Sequence, residues 1–157
     1  MASVVFVLDG DRVLLLQWVK PLYRGLWSGL GGSVELGESP EEAALREVWE
    51  ESGLTVNKLS LRGHLVLQWP EREDATSLHI FVAERWEGQL RGSLEGLPEW
   101  VSLKDLHRYP LVPCIKDALP LVLVPDTFLS GTVVLKETTT SFQFQHFRVT
   151  SLGTYMS

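Results

Sequence analysis

Seven glutamates face one arginine in the stretch from Gly32 to Leu54, GSVELGESPEEAALREVWEESGL: Glu35, Glu38, Glu41, Glu42, Glu47, Glu50 and Glu51 against Arg46. That local excess equals the formal net charge of the whole chain, −6. Carboxylates at such density repel one another unless a cation or a fixed donor neutralises them. Glu47, Glu50 and Glu51 are spaced i, i+3 and i+4, so on a helix they share one face. Hard oxygen donors in that arrangement are what Mg2+ or Mn2+ takes. A cation held there would neutralise phosphate oxygens and lower the pKa of a water molecule. The competing explanation is a solvated acidic helix face, the usual state of charged side chains.

The elements that must carry these side chains are legible nearby. Ser39 followed by Glu42 has capping-box spacing, and Pro40 falls at the first helical position. Gly53 suits a left-handed cap. The spacing predicts a helix over Pro40–Ser52, with Leu45, Val48 and Trp49 as its buried stripe. Ahead of it, Ser33 to Leu36 reads as a short strand, and Gly37 turns the chain into the helix. The pair Gly31-Gly32 lets the backbone come close to a ligand.

Gly32, five residues, Glu38, seven residues, Arg46-Glu47-Val48, one residue, Glu50-Glu51, one residue, Gly53-Leu54 resembles the Nudix box, with every defined position filled. The resemblance implies the Nudix hydrolase family, MutT-like, with an α/β/α sandwich on a mixed β-sheet and cleavage of a nucleoside diphosphate linked to another moiety. It implies Glu47, Glu50 and Glu51 as metal ligands and catalytic groups, and the Gly31 carbonyl as a further ligand. Arg46 becomes an orienting residue that acts through Glu38. In MutT-type members a glutamate just before a short strand reaches the metal or the attacking water. Position relative to Trp100 assigns that role to Glu95, with Glu99 as rival. The general base is Glu47 or Glu95.

The rest of the chain is consistent with one domain over residues 1–157. At 157 residues it is long enough for a proper core. Its hydrophobic fraction of 45% and mean hydropathy of +0.06 are ordinary for a globular protein. A pI of 5.2 argues against binding long nucleic acid through a basic surface. No apolar run reaches the length of a membrane span, and none reads as a signal peptide. Cys114 is the sole cysteine, so an internal disulfide is excluded, which points to a reducing cytoplasm and a buried thiol. Monomer and homodimer are both compatible with the composition.

Ser3–Leu8 and Arg12–Trp18, split by Asp9-Gly10-Asp11, read as a hairpin whose second arm is central in a sheet. Leu59–Trp69 and Ser77–Trp86 are two more strands, with His79 as a satisfied core histidine. Ser102 caps a short helical turn. Pro113–Leu119 starts a second helix that Pro120 should stop or kink. Thr132–Leu135 and Phe142–Val149 close the chain as strands, with a turn over 137–141. Pattern alone gives an α+β fold with a mostly antiparallel sheet.

Substrate contacts are expected from the loop before the box: Trp27 as a wall for a nucleobase, Arg24 toward phosphate, and Gly32 at the close backbone approach. General similarity favours a nucleoside triphosphate, including an oxidised purine such as 8-oxo-dGTP. In the oxidised-purine triphosphatases, an asparagine before the box and an aspartate pair further on read the base. The corresponding stretches here are Trp27-Ser28-Gly29 and Val112-Pro113-Cys114, with neither an asparagine nor an acidic pair. ADP-ribose or a nucleotide sugar is the alternative substrate. A non-catalytic nucleotide-binding module is a third reading, opposed by the intact glutamates.

Overall fold

The computed structural model of the chain describes residues 1–148 other than 20, 22, 71–72 and 136–139; over 140–148 it describes the backbone. The first strands, β1 (Ala2–Asp9) and β2 (Arg12–Gln17), are apolar runs separated by two residues, and they pair antiparallel with Asp9 opposite Arg12. Gly10 takes φ +61°, the left-handed conformation such a tight turn needs. Val13 to Leu16 of β2 are buried, as expected of a strand with neighbours on both edges. Those neighbours are β1 on one side, and β3 (Trp27–Ser28) and β7 (Glu99–Ser102) on the other.

The strand ahead of the first helix is β4 (Leu30–Ser33), not the segment Ser33 to Leu36. It runs antiparallel to β1 with Gly31 opposite Val4 and Gly32 opposite Ser3. The glycines make this possible, because a Cβ on Gly31 would run into the Ser3 carbonyl. Leu36 is fully exposed in the connection that follows. Helix α1 covers Pro40–Ser52, as its capping signals predict. The long hairpin β5 (Thr55–Trp69) and β6 (Asp74–Glu87) starts earlier and ends later than the apolar pattern alone suggests. After β7, Leu103–Arg108 forms a 3-10 turn at which the Ser102 side chain makes no cap bond.

Helix α2 (Pro113–Val122) contains Pro120 instead of ending before it. The proline removes one N–H, yet Leu123 still donates to the Leu119 carbonyl at 3.3 Å, so the helix gains barely one more turn. The last described elements are β8 (Thr127–Leu135) and β9 (Thr140–Arg148), paired antiparallel. The expected turn over 137–141 falls mostly outside the described residues.

Strand order is β3-β2-β1-β6-β5-β8-β9, with β4 on β1 and β7 on β2. The β1–β6 and β5–β8 pairs are parallel and the other described pairs antiparallel, so the sheet is mixed but mostly antiparallel. Period-two alternation splits the core into two layers. Val5, Val7, Leu14 and Phe81 meet Ala44 and Val48 of α1 on one face. Val4, Phe6, Ile80 and Leu129 meet Ile115, Ala118 and Leu119 of α2 on the other. This is the expected α/β/α sandwich. No described helix is long and apolar enough to cross a membrane.

Candidate active site

Helix α1 holds the acidic cluster, and its ends are fixed locally. The Glu42 N–H donates to Ser39 Oγ at 3.0 Å, and the Ser39 N–H donates back to Glu42 Oε1 at 2.9 Å. At the other end Gly53 adopts φ +77° and donates to the Trp49 carbonyl. The buried face differs from the predicted stripe. Of Leu45, Val48 and Trp49, only Val48 is buried; Ala43, Ala44, Glu51 and Ser52 accompany it, while Trp49 is 56% exposed. The reason is the site itself: Glu51 occupies a core-facing position that an apolar residue would otherwise take.

Arg46 is the hub of the outer carboxylates. Its Nε and Nη2 donate to the two Glu38 oxygens at 2.7 and 3.0 Å, a bidentate pair. Nη1 donates to Glu47 Oε1 at 3.0 Å and to Glu50 Oε2 at 3.3 Å, and Nη2 reaches the Ser33 carbonyl at 3.2 Å. The guanidinium holds the Glu38 carboxyl below its usual range, helped by the Glu35 N–H. Burial pushes Glu47 upward despite Arg46, and Glu50 and Glu95 add to the rise.

Glu51 is 5% exposed. It accepts the Gly31 N–H at 2.8 Å and is hydrogen-bonded to Glu95. Two carboxyl groups can share a hydrogen bond only if a proton lies between them. Burial first, then Glu95, raise Glu51 far above the carboxylate range, against the pull of the Gly31 N–H. A Cβ on Gly32 would meet Glu47 Oε1 at 2.7 Å, so glycine leaves room for that carboxylate. Glu99, the rival of Glu95, lies exposed on β7 and accepts from Tyr109 Oη at 3.4 Å.

The donor set suits a hard divalent cation: it is all oxygen and strongly anionic, with Arg46 as its charged partner. Among the described residues no three acidic or histidine side chains already stand as a finished metal cage. Glu47 and Glu50 turn toward Arg46, and Glu51 turns toward Gly31 and Glu95, so a cation would have to compete with those partners.

A cavity of about 330 Å3 opens beside this cluster, with Gly31, Gly32, Glu51 and Glu95 in its lining. Such a volume is at the small end for ligand pockets. The lining also includes Trp18, Tyr23, Trp69, Val112, Cys114 and Ile115. The Trp18 and Tyr23 rings lie 5.8 Å apart. Tyr23 holds φ +60°, unusual for an aromatic residue. Burial pushes the Cys114 thiol up to about 11, so the cysteine is a neutral wall residue.

Trp27 is not among the residues lining the cavity. Ser28 faces it, so alternation along β3 turns Trp27 away, and its ring packs edge-on against Tyr109 at 5.3 Å. Arg24 is exposed in the preceding loop and also lies outside the lining. The aromatic residues that sequence reasoning missed are Trp18 and Trp69, each at the end of an apolar strand. His79 faces His64 across β5 and β6 with ring centroids 4.9 Å apart; it is hydrogen-bonded to the Ala2 backbone, while among the described residues its buried Nδ1 finds no partner.

A model of the NUDIX domain matches residues 1–122, more than half of the chain. The chain belongs to the Nudix hydrolase family. An oxidized purine nucleoside triphosphate hydrolase from Danio rerio is 35% identical over 132 residues, covering 82% of this chain and 83% of the relative. An 8-oxo-dGTP diphosphatase from Escherichia coli is 44% identical over 78 residues, 49% of this chain and 58% of the relative. Among solved structures, the mutator MutT protein from Bacillus halodurans matches at a TM-score of 0.80 with 31% identity, covering 92% of this chain and 95% of that one. This Nudix hydrolase therefore carries its box from the end of β4 through α1, and the family generally uses divalent metals on small nucleotide substrates.

Proposed function

We propose that this Nudix hydrolase cleaves a nucleoside triphosphate to the monophosphate and pyrophosphate, with an oxidised-purine nucleotide such as 8-oxo-dGTP as its substrate. The observation that carries this reading is one cavity whose lining holds both Glu51 and Glu95 and the aromatic residues Trp18, Tyr23 and Trp69. The names of the relatives from Danio rerio and Escherichia coli agree with it. Glu47, Glu50, Glu51 and Glu95, with the Gly31 carbonyl, would hold Mg2+ or Mn2+. When bound, the cation neutralises phosphate charge and lowers the pKa of water.

The chain's own groups do the rest. Arg46, pinned by Glu38, sets the reach of Glu47 and Glu50. Glu47 or Glu95 accepts the proton of the attacking water. The water oxygen forms a new bond to phosphorus, the anhydride P–O bond breaks, and pyrophosphate leaves with that electron pair. Holding these groups in line supplies most of the acceleration, since phosphoryl chemistry is chiefly positioning and electrostatics. Trp18, Trp69 and Tyr23 offer flat faces on which a base stacks.

ADP-ribose or a nucleotide sugar is the second reading. It is favoured by the described lining, in which the acidic side chains are Glu51 and Glu95 of the carboxylate cluster and neither an asparagine nor an aspartate is present to read a base edge. The test is chromatographic identification of the nucleotide and phosphorylated products formed with Mg2+ from 8-oxo-dGTP, the common dNTPs, ADP-ribose, dinucleoside polyphosphates and sugar nucleotides. Glu50→Gln and Glu51→Gln should each lower kcat by about 10²-fold or more. Undiminished turnover in both would overturn the site, and faster turnover of ADP-ribose than of any triphosphate would overturn the substrate.

A further inference from the structure

We propose that Arg91 is a positioning residue that fastens the Glu95-bearing loop to the C-terminal end of α1, so that Glu95 meets Glu51. The inference rests on the reading of Glu95 as a working group of the site. Helix α1 has no basic residue in its last turn, although its final carbonyls form the negative pole of the helix. Arg91 supplies that charge from outside. Its Nη2 donates to the Trp49 carbonyl at 2.9 Å and its Nη1 to the Glu50 carbonyl at 3.3 Å. Its backbone N–H donates to the Ser52 carbonyl at 2.8 Å.

The guanidinium also lies 5.0 Å from the centre of the Trp49 ring, which gives that exposed tryptophan a role. Gly53 leaves space for the arginine stem, because a Cβ there would meet Arg91 Cγ at 2.7 Å.

From this anchor the chain reaches Glu95 through a tight turn. The Ser93 N–H donates to the Gly96 carbonyl at 2.9 Å and the Gly96 N–H returns to Ser93 at 3.0 Å. The Glu95 N–H donates to Ser93 Oγ at 3.1 Å. Packing does little for the turn itself, since Leu94 is fully exposed and Leu97 is 61% exposed. The apolar anchors, Leu90 and Pro98, stand at the two ends of the loop. Between them the hydrogen bonds of Arg91 fix where the turn sits relative to the same helix turn that carries Glu50 and Glu51.

The experiment is a double-mutant cycle on the full chain, with Arg91→Ala, Arg91→Lys, Glu95→Gln and the Arg91→Ala/Glu95→Gln pair. Each is read by kcat, KM and the Mg2+ concentration for half-maximal rate. Hydrogen exchange is followed in the metal-free protein. Arg91→Ala should lower kcat about 5- to 10-fold, raise the Mg2+ requirement, leave KM within about twofold, and cost nothing further once Glu95 is Gln. Arg91→Lys should recover part of the loss, because one ammonium reaches one carbonyl but not two.

Exchange over 88–98 should quicken in Arg91→Ala while that of β5 and β6 stays unchanged. Additive losses in the pair, or unaltered exchange over 88–98, would overturn the proposal. A Glu95→Gln variant with normal rate and Mg2+ requirement would instead overturn the assignment of Glu95 itself.

Discussion

Glu51 links stability to activity in opposite senses. Its folded-state pKa is raised above the ordinary 4.5, so its contribution to stability is complete below that value and is lost as pH rises through the folded pKa. Metal-free protein should therefore lose thermal stability as pH climbs from about 5 toward 8. Mg2+ should restore more of the unfolding temperature at pH 8 than at pH 6. Glu38 works in the other window, because its lowered pKa costs stability only as pH falls below 4.5. Glu51→Gln mimics the protonated carboxyl, so it should flatten the alkaline slope in a thermal-unfolding series while abolishing turnover. A slope unchanged in that variant would mean another group is responsible. Arg46 makes a separate case. Lysine cannot span Glu38 and also reach Glu47, so Arg46→Lys should lower kcat by about tenfold with the fold retained by circular dichroism.

At the scale of the element, α1 is a rigid carrier whose two ends do different work. Its N-terminal capping box lies at the opposite end from Glu47, Glu50 and Glu51, so Ser39→Ala should cost about 1 kcal/mol of stability in denaturant titration and leave kcat within about twofold. Its C-terminal Gly53 needs φ +77° and also makes room for Arg91. Gly53→Ala should destabilise by about 1 kcal/mol and lower kcat as well, which separates the two ends in one pair of variants. The ends of this helix were readable from sequence because capping is a matter of four or five adjacent residues. Its buried face was misread at Leu45 and Trp49. A hydrophobic pattern ranks residues by polarity, whereas Glu51 is buried by the cavity it serves and Trp49 is left outside under Arg91.

At the scale of the whole molecule, the cavity is assembled from β2, the loop after it, the end of β5 and the start of α2. Trp18→Ala and Trp69→Ala should raise KM for the best nucleotide about tenfold, the worth of one base-stacking contact. Trp27→Ala should lower the unfolding temperature through its lost packing on Tyr109 and leave KM alone. Steady-state kinetics beside a thermal melt tells these outcomes apart, and equal KM effects at Trp27 and Trp18 would refute the cavity assignment.

The acidic helix, its caps, the glycine pair before it and the β1–β2 hairpin were determined by the sequence alone, since each depends on neighbours within a few residues. The sheet was legible as mostly antiparallel; its two parallel pairs, β1 with β6 and β5 with β8, depend on which distant strands meet. Only the tertiary structure decided that Trp18 and Trp69 rather than Trp27 face the cavity, that Glu95 rather than Glu99 meets Glu51, and that Arg91 reaches the end of α1. Those contacts join residues far apart in the chain, and in a short strand such as β3 a shift of one position sends a side chain to the opposite face.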